Sequence, residues 1–321
     1  MSDRTGKDHA AYRGFVAGVF SGISKLTVGH PFDTIKVRLQ TSPPTQFSGP
    51  LDCVLKTIRN EGIRGFYKGA TPPLVGWMFM DSLMLGSLSN YRQLLLDIDS
   101  PFLRASPHLT EPGGRSLNDP VPRLSAAGHG IAGMFAGWTV SFIAAPIEHV
   151  KARLQVQYHG RHPSASSKPR YTGPIDCILK ISRAHGILSI FHGLRATLLF
   201  RTFFFFWWSS YDLITRYLKS HTDLSAPAVN FWAGGLSAQV FWLTSYPSDV
   251  VKQRIMTDEL GVDKRRYANW WRAARSIYRE HGARGYWRGF LPCFLRAFPA
   301  NAAALVAFES VMRGLQRIEG D

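Results

Sequence analysis

The residues of this chain that could do chemistry come in threes. Pro31-Phe32-Asp33-Thr34-Ile35-Lys36-Val37-Arg38 returns as Pro146-Ile147-Glu148-His149-Val150-Lys151-Ala152-Arg153 and as Pro247-Ser248-Asp249-Val250-Val251-Lys252-Gln253-Arg254. In each copy an acid (Asp33, Glu148, Asp249) follows the proline by two residues and a lysine (Lys36, Lys151, Lys252) follows the acid by three, which is neighbouring spacing on a helix. On a solvated surface such a pair contributes roughly a few tenths of a kcal/mol. Beside Pro31, Pro146 and Pro247, which remove a backbone donor and bend a helix, three equivalent pairs instead suit a ring of ion pairs that closes and reopens. That chemistry is gating, with no bond made or broken. No phosphate loop or Ser/His/Asp constellation accompanies it. Cys53, Cys177 and Cys293 have neither CxxC spacing nor a histidine at zinc spacing, so no disulfide, metal or cofactor is expected. A membrane-embedded enzyme is therefore set aside.

A second set of groups consists of charges stranded in apolar stretches: Lys25 within 14–32, Asp81 within 69–91, Arg201 within 196–211 and Arg296 within 290–308. A desolvated charge needs a partner, water or a ligand, so each marks a cavity face. Lys25 could equally belong to a gate or reach out to the interface.

The elements that must position these residues follow from periodicity. Segment 49–69 aligns without gaps to 173–193, and 269–289 is a more diverged third copy, so the chain is a tandem triplication at roughly 100-residue spacing. Segments 124–147 and 224–248 are free of charge and long enough to cross about 30 Å of hydrocarbon. With the four interrupted stretches they make six spans, two per repeat. The expected organisation is repeat one at 1–99, a Pro/Gly/Ser-rich surface linker at 100–122, repeat two at 123–220 and repeat three at 221–321, with a second polar insertion at 159–170.

The formal charge is +16, and 24 of the 38 Lys and Arg lie in 36–68, 151–195 and 252–288, after the odd spans. Segment 92–123 is balanced in charge, so the basic loops share one side and both termini the other. Division of the charge among three equivalent loops argues against a nucleic-acid partner, which would concentrate it on one groove-facing element. The start of the chain carries no secretory signal pattern.

This arrangement resembles the mitochondrial carrier family, whose signature is Pro-x-[Asp/Glu]-x-x-[Lys/Arg]-x-[Lys/Arg], then an acid-Gly pair, then aromatic-basic-Gly. The last element stands here as Tyr67-Lys68-Gly69, Phe191-His192-Gly193 and Trp287-Arg288-Gly289, and the acid-Gly pair as Glu61-Gly62, with His185-Gly186 and His281-Gly282 elsewhere. The resemblance implies an all-α membrane protein of six transmembrane helices in three tandem repeats around a central cavity, with short matrix helices. It implies a monomer in the mitochondrial inner membrane, both termini toward the intermembrane space. The three acid–lysine sets become the matrix gate, Asp33 facing Lys151, Glu148 facing Lys252 and Asp249 facing Lys36, with Gln40 and Gln155 as braces and Met256 where a third brace would stand. On the other side, Asp212 and Glu309 supply gate acids and Ser89 replaces the first; Arg92, Arg216 and Arg313 are their expected partners, the last two displaced by one residue. Gly49, Gly173, Gly69, Gly193 and Gly289 match positions that bind cardiolipin, where glycine donors and a helix start meet a phosphate. Gly14, Gly18, Gly22, Gly133 and Gly137 would let odd helices approach neighbours closely.

Arg296 stands seven residues after Gly289, where the family contacts its small-molecule substrate; the same count gives Gly76 followed by Trp77, and Phe200 followed by Arg201. The run Arg296-Ala297-Phe298-Pro299-Ala300-Asn301 is similar to the sixth helix of carnitine/acylcarnitine and basic amino-acid carriers. Two arginines suit a carboxylate, and Asp81 with Trp77 and Trp207 suits an ammonium, so an amino-acid or carnitine-like zwitterion is expected. Helix four lacks the acid that amino-acid carriers place after arginine, which leaves di- and tricarboxylates open; a carrier-fold scaffold or proton leak is the other alternative. The run Phe203 to Trp208 is expected to be packing or lipid-facing bulk.

Overall fold

The computed structural model describes residues 2–42, 45–98, 100, 102–104, 123–157, 170–261 and 265–320. Among the described residues ten α-helices follow one another: α1 (Ser2–Thr41), α2 (Pro50–Glu61), α3 (Thr71–Asp97), α4 (Ala126–Val156), α5 (Pro174–His185), α6 (Leu194–Thr202), α7 (Phe204–His221), α8 (Ala226–Thr257), α9 (Trp270–His281) and α10 (Phe290–Gly320). Short 3-10 turns at Ile63–Tyr67, Ile187–Phe191 and Ala283–Trp287 follow α2, α5 and α9. Long helix, short helix, 3-10 turn, long helix is thus repeated three times, the tandem all-helical fold that the sequence predicts.

Local chemistry sets these elements. Pro31, Pro146 and Pro247 lie inside α1, α4 and α8, which continue past them into their basic ends. The short helices start where a missing N–H costs nothing, at Pro50 and Pro174, or at a side-chain cap, where Asn269 accepts from the Arg272 N–H. Asp52 and Asp176 accept the N–H groups of Ser48 and Thr172 and so fix the entries to α2 and α5.

Among the described residues, three stretches are long and apolar enough to cross a membrane, Ala126–Val156, Ile187–His221 and Ala283–Leu315. The charge-free run at 224–248 is not among them, because Asn230, Gln239 and several hydroxyl residues dilute it. Phe79, Phe142 and Phe298 are each more than half exposed, a surface suited to hydrocarbon. The fourth long element departs from expectation: it breaks at Phe203 into α6 and α7, and the Leu198 carbonyl there accepts both the Trp138 indole N–H and the Thr202 hydroxyl.

The chain forms two compact units, Met1–Val75 with Lys151–Cys177 and Arg288–Asp321, and Gly76–Val150 with Ile178–Trp287. In the first, α1 packs along α10, and Ile35, Leu39, Phe47, Cys53 and Phe66 form a core. In the second, α7 and α6 pack on α8, with Phe200, Phe204 and Phe241 at the centre of one cluster and Leu88, Leu103, Leu124 and Ala136 in another. Leu103 therefore belongs to the core, which corrects the reading of 100–122 as surface throughout; residues 105–122, like 158–169, lie outside the described ones. Close approach at glycine is also one-sided. A methyl at Gly133 would sit 2.0 Å from Trp208 and one at Gly137 3.0 Å from Phe204, whereas at Gly18 and Gly22 it would meet nothing within 4 Å among the described residues.

Candidate functional site

In the first unit the proline motif of α1 places Asp33 between two cations. Lys151 Nζ donates to Asp33 Oδ2 at 2.8 Å, and Arg296 Nη1 lies 3.2 Å from Oδ1. Each oxygen has its own partner: the lysine comes from the end of α4 and the arginine from α10. Gly29 lies against the arginine, where an added methyl would stand in ordinary contact, 3.6 Å from its Cδ. Thr34 donates to the Phe66 carbonyl at 2.6 Å and accepts from Gln155 Nε2 at 3.2 Å. The glutamine expected to brace the ion pair thus reaches the residue beside the acid, because its side chain is directed onto α1 one turn past Lys151. Gln40 and Lys36 are buried in the same unit.

The second unit repeats the arrangement. Glu148 Oε2 accepts from Lys252 Nζ and Oε1 from Arg201 Nη2, both at 2.9 Å. Lys252 is also 3.2 Å from Asp249, one turn earlier on α8, and stands 4.0 Å over the Phe200 ring. Arg201 stacks 5.1 Å over Phe204, and its buried Nε has no hydrogen-bond partner among the described residues. An anionic carboxylate between two cations, with little exposure, is held by charge-assisted bonds on both oxygens. The two arginines marked as substrate contacts are therefore also ligands of the motif acids, which the spacing of separate motifs does not reveal.

Glycine geometry closes two of the motifs against an aromatic-basic-Gly triplet. Gly69 (φ +76°) lies where a methyl would come 2.9 Å from the Lys151 carbonyl, and Gly193 (φ +94°) where it would come 2.8 Å from Met256 Cγ. Met256, at the position where the resemblance expects a third brace, is fully buried. Arg38, itself fully buried, pairs with Glu61 at 2.8 Å and donates to Thr57, and Lys68 also binds Glu61. In the third repeat Glu280 takes this place, 3.3 Å from Arg254, one residue before His281 where the acid-Gly pair is lost. Sequence reasoning missed that substitution, although an acid shifted by one position was its signal.

Other predicted contacts separate from this constellation. Gly76 is buried, and a methyl there would meet Ile147 at 2.6 Å; the Trp77 side chain lies outside the described residues. Asp81 and Lys25 are exposed. Trp207, expected to offer a face to an ammonium, is stacked on Phe241 and on Trp208, and the Phe204 ring meets it edge-on; it is packing.

At the opposite helix ends the acids pair within their own helix. Arg216 lies 2.9 Å from Asp212 and also donates to the Leu124 carbonyl; Arg313 lies 2.7 Å from Glu309, both largely exposed. The one-residue displacement noted in sequence gives the i,i+4 spacing that favours such pairs. Arg92 stacks over Trp208 at 5.1 Å, and His129, not singled out in sequence, lies 3.6 Å from Asp212.

Of the glycines matched to lipid positions, Gly69 and Gly173 line one cleft of about 330 Å³ with Lys68, Thr71, Gln157, Tyr171 and Thr172. Gly49, Gly193 and Gly289 lie outside it.

Long apolar helices in a threefold repeat, with buried ion pairs at their prolines, define a polytopic membrane transporter. Residues 7–99, 122–222 and 224–319 each match the mitochondrial carrier protein family. The chain is 38% identical over 302 residues to mitochondrial substrate carrier family protein L of Dictyostelium discoideum (94% of this chain, 95% of the relative). It is 35% identical over 316 residues to a mitochondrial basic amino acids transporter of Bos taurus (96% and 95%), and 32% over 324 residues to a mitochondrial arginine transporter of Arabidopsis thaliana (97% and 96%). The chain belongs to the mitochondrial carrier family, and it is a carrier of small molecules.

Proposed function

We propose that the protein exchanges a carboxylate-bearing amino acid or carnitine-like zwitterion across the mitochondrial inner membrane by alternating access, as a monomer with both termini toward the intermembrane space. The observation that carries this reading is the shared acid: Glu148 divides its oxygens between Lys252 and Arg201, and Asp33 between Lys151 and Arg296. A substrate carboxylate is chemically equivalent to those acids and competes for the same guanidinium groups. Arg201, with a spare buried Nε–H, accepts a second carboxylate; its transfer leaves Glu148 on Lys252 alone and weakens the closure. Arg296 does the same for Asp33. By the repeat, Asp249 and Lys36 carry the equivalent gate role, while Gly76 supplies no cation at the third contact position. Asp81 and Lys25 remain the proposed groups for the substrate's other charges. The glycine-lined cleft beside Lys68 is the proposed cardiolipin site, where Gly173 and the start of α5 present backbone donors to a phosphate. The relatives named for basic amino acids favour an α-amino acid over a di- or tricarboxylate.

The test is uptake by proteoliposomes preloaded with the same solute. L-Arginine exchange with no exchange of agmatine, which lacks only the carboxylate, supports the reading. Exchange of malate or citrate without amino acids moves the protein to the organic-acid branch, and no exchange of any of these with proton conductance supports a leak.

A further inference from the structure

The third short helix differs from the other two on the face turned away from the protein. In register, α2 presents Leu51, Leu55 and Ile58 (80%, 66% and 47% exposed) and α5 presents Ile175 and Leu179 (73% and 45%). On α9 the same positions are Trp271, Arg275 and Tyr278, with Trp271 76% and Tyr278 60% exposed. The first-turn acids Asp52 and Asp176 are replaced by Arg272, and Arg279, which stands where α2 and α5 have Arg59 and Arg183, follows one turn after Arg275. Ala273, Ala274 and Ile277 bury the opposite face.

Helical spacing of three and four puts Arg272, Arg275 and Arg279 on one ridge, flanked by Trp271 and Tyr278. These arginines line an open groove of about 440 Å³ together with Ser276 and Glu280. The one acid there is already shared, at 3.3 Å from Arg254 and 2.6 Å from Arg266. None of the three ridge arginines has an acidic partner among the described residues. Three uncompensated guanidinium groups beside exposed amphipathic aromatic rings form the composition that settles at a bilayer interface, rings at headgroup depth and cations at phosphate.

We propose that this ridge is a second lipid site, apart from the glycine-lined cleft, that holds α9 on the membrane surface through the phosphates of anionic phospholipid. On α2 the lysine of this stretch, Lys56, is paired with Asp52, and the position of Arg275 is leucine in both α2 and α5; α9 has arginine at both the acid and the leucine positions. Near an anionic surface each such cation is equivalent to about fivefold in affinity, the conversion of about 1 kcal/mol. The contact is screened by salt.

The full chain purified in a neutral detergent is titrated with phosphatidylglycerol, and its melting temperature is followed at low and high salt. Arg275→Leu, which installs the residue of α2 and α5, and the triple variant Arg272→Gln/Arg275→Gln/Arg279→Gln are compared with wild type. The half-effect lipid concentration is expected to rise about fivefold in the single variant and more than tenfold in the triple, the difference shrinking at high salt, with melting in lipid-free detergent unchanged for Arg275→Leu. Phosphatidylcholine is expected to distinguish none of them. Unchanged half-effect concentrations in both variants overturn the proposal, as does a wild-type shift reproduced in full by ATP without lipid.

Discussion

The acids at the two ends of the long helices are held in opposite ways. At the proline motifs, Asp33 and Glu148 each bind cations from other helices, the two acids being 13% and 22% exposed; at the far ends, Asp212 and Glu309 bind the arginine one turn along their own helix, Asp212 with a further link to α4 through His129 at 3.6 Å and Glu309 in a pair open to solvent, its partner Arg313 being 72% exposed. A pair within one helix holds nothing shut, because no relative movement of helices breaks it. A pair between helices does. The difference bears on the proposed gate: the inter-helix pairs of Asp33 and of Glu148 must break before their helices part, whereas Glu309 has an exposed local partner that competes weakly with solvent.

The strongest way to break this contrast is charge reversal at the proline-motif end. Glu148→Lys sets a third cation beside Lys252 and Arg201; loss of stability of about 3–5 kcal/mol, typical of a broken buried pair, is expected in thermal melts, with exchange in proteoliposomes abolished. Arg296→Ala comes next. Asp33 keeps Lys151, so the melting temperature falls by less, while uptake of L-arginine drops more than tenfold. Near wild-type uptake would remove Arg296 from the substrate site. Thiol labelling sharpens the comparison: Cys53 lies in the core behind the α1 motif, and burial pushes its thiol up to about 11. Its thiolate is scarce at pH 7.5 and grows as pH rises toward that value, so maleimide labelling in the native protein is expected to be slow and to accelerate on unfolding. The smallest effect belongs to the far end, where Arg313→Gln should change stability by less than about 0.5 kcal/mol and uptake by less than twofold. A large loss there would make the two ends equivalent.

Much of this was legible in the sequence. Triplicated proline motifs gave the six-span fold, and the acid–lysine partners Asp33–Lys151 and Glu148–Lys252 were named from the family resemblance. The double use of Arg201 and Arg296 was not, since nothing in the spacing from Gly193 or Gly289 says that a guanidinium meets an acid on another helix. The break at Phe203 was hidden because a continuous apolar run carries no signal for a backbone carbonyl claimed by Trp138. Equally, four-residue glycine spacing in α1 and α4 looks alike, yet among the described residues Gly133 and Gly137 meet bulky side chains and Gly18 and Gly22 do not; the ring met by Gly133, Trp208, sits 75 residues away in sequence.

The central claim is that Glu148 is shared between a gate lysine and a substrate arginine. It is tested most directly by a double-mutant cycle of Glu148→Gln and Arg201→Gln, read by thermal stability of the purified carrier. If the pair is bonded, either single change strands its partner, and the double variant loses less than the sum of the singles by about 1–3 kcal/mol. Losses that simply add would contradict that sharing.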